Sequence, residues 1–116
     1  MPTTRSREQL AHDIRAYLDA RMNRRVTLRQ LSEAFHVSGT LIKVVYREAF
    51  GESLYADTRA RKMHSAARTL RETECSILEI AGMYGYDNAS KFAAAFRAVL
   101  GASPTEYREE DESAGV

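Results

Sequence analysis

Apolar residues recur every three or four positions along almost the whole chain, a spacing that places them on one face of an α-helix. The first such stripe comprises Leu10, Ile14, Tyr17, Leu18 and Met22. No segment shows the alternation with a period of two that is typical of a half-buried β-strand. The pattern therefore predicts an all-α protein.

Two more predicted helices follow, and each has its own N-terminal capping residue. Thr27 and Gln30 have the spacing of a capping box, in which the side chain of each residue accepts a hydrogen bond from the backbone amide of the other. This helix ends near His36, and its inward-facing residues are Leu28, Leu31, Ser32 and Phe35. Ser38 is the expected N-cap of a longer helix that ends at Gly51. The inward-facing residues of the longer helix are Ile42, Val45, Tyr46, Ala49 and Phe50.

The second half of the chain repeats this pair of helices. The octapeptides YREAFGES and FRAVLGAS, which begin at Tyr46 and Phe96, share Arg, Gly and Ser. Ser76 and Glu79 repeat the capping box, and Asn88 repeats the second N-cap. The matching inward-facing residues are Ile77, Ile80, Ala81, Tyr84, Phe92, Ala95, Phe96, Val99 and Leu100. Two helices joined by a turn of three or four residues describe a helix-turn-helix unit, so the repeat predicts two such units.

A segment without Gly or Pro separates the two units, and its composition favours an unbroken linker helix. Such a helix would span about 27 Å. We therefore expect one domain over residues 1–116. It divides into a first helix-turn-helix lobe (8–51), a linker helix (54–71), a second lobe (76–108) and a disordered acidic tail (109–116).

The net charge of +1 hides an asymmetry along the chain. The tail holds four of the 16 acidic residues, which leaves 12 acidic against 17 basic residues, or +5, before residue 109. The basic residues cluster as Arg21, Arg24 and Arg25, as Arg59, Arg61 and Lys62, and as Arg68 and Arg71. Such clusters suggest a polyanionic partner, while the alternative for any charge run is a solvated face.

The composition argues against other classes of protein. At 116 residues, with 44% apolar and 28% charged residues, the chain has the profile of a globular domain. No apolar run reaches membrane-spanning length, and the polar N-terminus lacks the apolar core of a signal peptide. The single cysteine, Cys75, agrees with a reducing compartment. We therefore expect a cytoplasmic protein with no membrane partner.

Several short motifs occur in a fixed order along the chain. They are the Ser38-led helix, Gly51-x-Ser53, Arg61-Lys62-Met63 with Ala67 and Leu70, Ile80-Ala81 before Gly85-Tyr86, Phe92-x-x-x-Phe96-Arg97, and Gly101-x-Ser103-Pro104-x-x-Tyr107-Arg108. This combination resembles the DNA-binding domain of AraC/XylS-type bacterial transcription regulators over roughly residues 10–108.

The resemblance implies a seven-helix domain with two homeodomain-like three-helix lobes, and an activator that contacts RNA polymerase. In most members of the family this domain follows a ligand-binding or dimerisation domain, while a minority consist of the domain alone. An upstream sensor domain is therefore left open, as are the operator sequence and the inducing signal.

The outward face of the Ser38 helix is the predicted reader of the DNA major groove. Lys43 can donate to guanine, Thr40 can serve either kind of base edge, and Val44 can meet a thymine methyl. The expected base-contacting residues of this lobe are Thr40, Leu41, Lys43 and Val44, and the expected backbone contacts are Ser38 and Arg47. The alternative is that these residues are merely exposed on a packing helix.

The matching face of the second lobe has few long polar side chains, which departs from the family pattern. It presents Ser90, Ala93, Ala94 and Arg97, with Ala89 and Lys91 beside them. The expected base-contacting residues are Ser90, Lys91 and Ala94, and the expected backbone contacts are Asn88 and Arg97. Because alanine reads little beyond a thymine methyl, this lobe is expected to bind mainly through phosphates and DNA shape.

The repeat supplies two reading helices without a dimer axis. We therefore expect a monomer to bind double-stranded DNA at an asymmetric site of two adjacent major-groove segments, which lie about 34 Å apart on one face of the duplex. A competing hypothesis is a helical protein-interaction adaptor whose DNA specificity is weak or lost. The Ala-rich second face favours the adaptor, and the basic body of the chain favours DNA.

The sequence gives little support to an enzymatic function. The three histidines have no second ligand at metal spacing, and Cys75 has no neighbouring His to activate it. We expect no catalytic residue, metal ion or cofactor. His36 matches Gly85 in the repeat, so we interpret it as a structural residue in a somewhat strained left-handed turn.

Overall fold

The computed structural model describes residues 6–114, and these residues form seven helices and no strand. The helices are α1 (Arg7–Asp19), α2 (Leu28–Phe35), α3 (Gly39–Phe50), α4 (Leu54–Glu72), α5 (Ile77–Met83), α6 (Ala89–Leu100) and α7 (Pro104–Ala114). The all-α prediction is confirmed. No helix in this part of the chain is both long and apolar enough to cross a membrane.

The predicted helix starts are present as hydrogen-bonded caps. Both capping boxes form: the Thr27 hydroxyl accepts from the backbone amide of Gln30, and the Ser76 hydroxyl accepts from that of Glu79. In return, each of those third residues accepts a bond from the N-cap amide. Each capped start satisfies amides that a helix leaves free at its first turn. Local sequence therefore sets where α2 and α5 begin.

The turns inside the two helix-turn-helix units differ in length and in chemistry. The first turn has three residues between Phe35 and Gly39, as predicted, whereas the second has five between Met83 and Ala89. The second turn is longer than expected because α5 ends early, where Tyr84 bonds back to Ala81 and Gly82 in a tighter, non-α arrangement. The five residues between Met83 and Ala89 therefore include this tighter turn as well as the connection to α6.

A left-handed residue nevertheless occupies the same place in both turns. His36 has φ 56° and ψ 41°, and Gly85 has φ 83°. The left-handed conformation predicted for His36 is confirmed. A side chain at Gly85 is excluded for a second reason, because a Cβ there would lie 2.9 Å from the Cα of Arg24.

The first compact unit comprises residues 6–21 and 25–58. Its buried core is Leu10, Ala11, Ile14, Leu18, Leu31, Ile42, Val45 and Tyr46. Most of these are the inward-facing positions that the helical spacing predicted for the first three helices. Phe35 and Phe50 are half-buried at the edge of this core, where Phe35 contacts Tyr17 edge-on with ring centres 5.5 Å apart.

The second compact unit comprises Met22–Arg24 and the described chain from Arg59 onward. Its buried core is Met63, Ala66, Ala67, Leu70, Ile80, Ala81, Tyr84, Phe92 and Phe96. Met22 packs against this core and not against the stripe of α1, to which its spacing assigned it. The reason is that α1 ends at Asp19, so the helical spacing no longer applies three residues later.

The predicted linker helix is present as α4 (Leu54–Glu72), one residue longer than predicted. Leu54 packs against the first core, and Met63, Ala66, Ala67 and Leu70 belong to the second. The predicted disordered tail is wrong for residues 109–114, which continue helix α7. That helix starts from a capping box between Ser103 and Glu106, and the helix formers Glu109 and Glu110 continue it. Residues 115–116 lie outside the described chain.

Candidate nucleic-acid interface

The outward face of α3 is exposed as a direct result of what the helix buries. Ile42, Val45 and Tyr46 pack into the first core, which turns the opposite side of the helix to solvent. That side carries the exposed residues Thr40, Lys43, Val44 and Arg47, while Leu41 is half-buried on the flank. Val44 keeps 42% of its surface accessible. The row therefore combines polar, cationic and methyl groups on one accessible surface.

The start of α3 holds a hydroxyl that can bind twice. Ser38 accepts a hydrogen bond of 3.1 Å from the backbone amide of Leu41 and thereby caps the helix. Its own O–H proton is still available as a donor, because a hydroxyl can accept and donate at once. Together with the positive end of the helix dipole, this donor makes the start of α3 suitable for a phosphate oxygen.

The two cations of the α3 face form no ion pair with any residue in 6–110. Lys43 and Arg47 lie one turn apart, and both are exposed. The nearby acid Glu48 is already paired with Arg7, at 3.1 Å between Nε and Oε1. The positive charge of Arg7 on α1 therefore partly neutralises the negative charge of Glu48 beside the row. The sequence reading did not single out Glu48 or Arg7.

Buried polar side chains behind α3 hold the helix in place. The Tyr46 hydroxyl donates to the carboxylate of Asp57, and Arg15 donates to the same carboxylate oxygen at 2.9 Å. The Arg15 guanidinium also lies 3.6 Å from the centre of the Phe50 ring. Burial, and then the bond to Asp57, raise the pKa of Tyr46 to about 12, so this hydroxyl stays protonated and donates at neutral pH. These contacts tie α3 to α1 and to the first turn of α4.

The outward face of α6 is smoother and poorer in polar groups. Phe92 and Phe96 are buried, and the exposed residues on the opposite side are Ser90, Lys91, Ala94, Arg97 and Ala98. Ala93 is only half-exposed, so it lies at the edge of the predicted row. Ala98, which was not predicted to belong to the row, is exposed on the same face. Asn88 caps the helix by accepting from the backbone amide of Lys91 at 2.8 Å. Its amide NH2 group is left to donate outward.

Arg97 has an acidic neighbour, Glu106, on α7. Apart from the flanking Lys91, it is the one long cationic side chain of the predicted α6 row. Its guanidinium lies 3.6 Å from the carboxylate of Glu106. The sequence reading missed this pair. The signal that reveals part of it is the Ser103-x-x-Glu106 capping box, a spacing identical to that of Ser76 and Glu79.

Residues of the basic clusters, among them Arg21 and Lys62, make contacts within the folded chain. Arg21 stacks 3.5 Å from the centre of the Tyr17 ring and donates to the Tyr17 carbonyl. Lys62 donates to the carbonyl of Arg24 at 2.9 Å, and burial lowers the pKa of its ammonium group. These cations are therefore less available to a polyanion than their number suggests. Among the residues described, no group of three or more His, Cys, Asp or Glu is placed to hold a metal ion.

The chain is similar to several bacterial regulators. YdiP of Escherichia coli K12, an uncharacterised helix-turn-helix transcriptional regulator, is 33% identical over 104 residues, which are 90% of this chain and 34% of YdiP. The transcriptional activator AarP of Providencia stuartii is 27% identical over 108 residues, which are 93% of this chain and 80% of AarP. The chain thus spans about a third of one relative and most of the other.

The fold is also found in a solved structure. The C-terminal domain of AraT, a response regulator from Geobacillus stearothermophilus, matches with a TM-score of 0.86 and 28% identity, covering 93% of this chain and 88% of that domain. A family model described as a helix-turn-helix domain matches residues 31–110, which include most of the first helix-turn-helix unit and all of the second. The chain therefore belongs to the AraC-type helix-turn-helix family of DNA-binding transcription regulators.

Proposed function

We propose that this DNA-binding domain activates transcription from an asymmetric site, where α3 supplies most of the sequence discrimination and α6 supplies mainly affinity. The observation that carries the proposal is the contrast between the two exposed rows. One contains Thr40, Lys43 and Val44, and the other has Ser90 and Ala94 at the positions of Thr40 and Val44, with Ala93 in place of Lys43. Long donors can reach base edges, whereas alanine offers only a methyl group.

The α3 row matches the chemistry of a base reader. Lys43 can donate to the O6 or N7 atom of guanine, Thr40 can donate or accept, and Val44 can pack on a thymine methyl. Leu41 adds apolar contact at the flank. Ser38 and Arg47 are proposed to hold phosphates on either side, which fixes the register of the helix in the groove.

The α6 row supports a different mode of binding. Ser90, Lys91 and Ala94 are proposed to face the bases, and their short side chains or flanking position give weak discrimination. Asn88 and Arg97 are proposed to hold phosphates, one through its free amide NH2 group and one through its guanidinium. Phosphate contacts raise affinity for every sequence alike and make binding depend strongly on salt.

A monomer is the proposed binding unit. Two reading helices on one chain do not require the two-fold axis that pairs half-sites in dimeric helix-turn-helix proteins. The site is therefore proposed to be asymmetric and to cover two adjacent major-groove segments. Footprinting tests this proposal: one chain per site and a non-palindromic footprint support it, and a two-fold symmetric site with two chains refutes it.

Activation is proposed from a relative, and the partners are proposed from the family resemblance. AarP is named a transcriptional activator and aligns with 93% of this chain, which favours activation. Contact with RNA polymerase and an upstream sensor domain are the partners that the resemblance to AraC/XylS-type regulators implies. A function on chromosomal DNA would place the protein in the cytoplasm and requires no catalytic residue.

A protein-interaction adaptor is the second candidate, and one observation favours it. Leu78 and Met83 on α5 keep 63% and 44% of their surfaces exposed, close in sequence to the Ala-rich α6. A gel-shift titration with any duplex at low salt separates the two functions. Binding that tightens as salt is lowered supports DNA recognition, and selection from genomic fragments then recovers the site. Absence of binding to every duplex supports the adaptor.

A further inference from the structure

The two units differ at one position beside their matched arginines. Arg47 on α3 and Arg97 on α6 occupy equivalent places in the repeat, each four residues before the glycine that ends its helix. The next helix begins in both units with a serine cap, and three residues later stands Ala56 in the first unit but Glu106 in the second. Only Arg97 therefore faces an acid, with 3.6 Å between its Nη1 and the Oε1 of Glu106.

Glu106 is held where Arg97 can reach it. Its backbone amide donates to the Ser103 hydroxyl at 3.1 Å, and its carboxylate accepts from the Ser103 amide at 3.4 Å. The hydrogen bonds from Ser103, and then the Arg97 charge, hold the pKa of Glu106 below its usual range. The carboxylate is therefore fully charged at neutral pH.

The pair can open when a stronger partner arrives. The Arg97 and Glu106 side chains are 65% and 51% exposed, so water screens their attraction. A phosphate on the DNA backbone offers the guanidinium a bidentate, charge-assisted contact that is stronger than a pair at this distance. Binding would then require Arg97 to leave Glu106.

We propose that Glu106 limits the affinity of the second lobe for DNA, because its carboxylate competes with a backbone phosphate for Arg97. The inference rests on the proposed phosphate contact of Arg97 and adds to it the residue that sets the strength of that contact. The first lobe has no such limit, since Ala56 stands in the equivalent place.

The first test replaces Glu106 with Gln. Glu106→Gln removes the charge but keeps a side chain that completes a capping box, so α7 keeps its start. Measured at physiological salt, where distant charges are screened, the variant should bind both a selected and a random duplex about two- to fivefold more tightly. In an Arg97→Ala background the same substitution should bring little or no gain. Weaker or unchanged binding, or an equal gain without Arg97, overturns the inference.

The second test builds the acid into the first lobe. Ala56→Glu should pair with Arg47 and weaken binding about two- to fivefold, whereas the matched Ala56→Gln variant, which has the same size and no charge, should bind like the parent. Equal affinity of the Glu and Gln variants contradicts the inference. A parent protein that binds no duplex at low salt contradicts the proposed function itself, so the two failures are distinguishable.

Discussion

Tyr46 donates its hydroxyl hydrogen bond to Asp57, and both residues are buried in the first unit. Asp57 is the only charged residue in the described chain that is buried to this degree, with 6% of its surface exposed. In the second unit the corresponding positions hold Phe96 and Tyr107, whose rings meet edge-on with centres 5.5 Å apart. The first unit thus supports its reading helix with a charged hydrogen bond where the second uses aromatic packing.

This relationship predicts strong coupling between the two residues. Asp57→Ala should destabilise the protein by about 1–3 kcal/mol, because it leaves the buried Tyr46 hydroxyl without its acceptor. Tyr46→Phe should also destabilise it, and the double variant should lose less than the two single losses combined, with a coupling of about 0.5–3 kcal/mol. Urea unfolding of the four proteins measures the cycle. Additive losses would show that the bond contributes nothing.

The raised pKa of Tyr46 predicts a loss of stability in alkali. A tyrosine whose pKa is higher in the folded protein contributes stability below its unfolded value of about 10 and loses it as the pH rises through the folded value. For Tyr46 that folded value is about 12. Stability should therefore fall between about pH 10 and 12, and Tyr46→Phe should show a smaller fall. Identical pH profiles for the parent and the variant would refute the assignment.

The left-handed turn at His36 predicts a stabilising substitution. His36 has φ 56°, its side chain is exposed, and glycine adopts this conformation without strain. His36→Gly should raise the free energy of unfolding by about 0.5–1 kcal/mol. His36→Val, which adds branching at Cβ, should lower it. A less stable glycine variant in urea unfolding would show that the imidazole has a role beyond the turn.

The equivalent glycine should tolerate no side chain. At Gly85 a Cβ would both require the left-handed conformation and collide with the Arg24 backbone at 2.9 Å. Gly85→Ala should cost about 2–5 kcal/mol, the sum of backbone strain and overpacking. Gly101 also has a positive φ of 82° but has open space around it, so Gly101→Ala should cost only the backbone part, about 1–2 kcal/mol. Equal losses for the two variants would mean that the Arg24 segment simply moves away.

Local signals predicted most of the fold. The capping boxes at Thr27 and Ser76 require only residues three positions apart, so the sequence shows them directly. The helical spacing likewise identified the buried faces of α3 and α6, and hence the exposed rows opposite them. The helix-turn-helix units and the all-α class follow from these local patterns and from the repeat.

What the sequence did not reveal depends on residues far apart in the chain. Asp57 looks like an ordinary acid at the start of a helix, and its burial follows only once Arg15 and Tyr46 surround it. Glu106 became relevant because α7 brings it to Arg97. The helical tail was missed because a run of acids resembles a disordered end, while the cap that starts the helix lies upstream of the run.

The division of labour between the two reading helices is tested most directly by Lys43→Ala and Arg97→Ala, each measured on a selected and a random duplex across a salt series. Lys43→Ala should cost about 1–3 kcal/mol on the selected duplex and relax preference at one base position. Arg97→Ala should weaken binding to both duplexes alike and lower the salt slope by about one counterion. If Arg97→Ala abolished sequence preference while Lys43→Ala left it intact, the assignment of discrimination to α3 would be wrong.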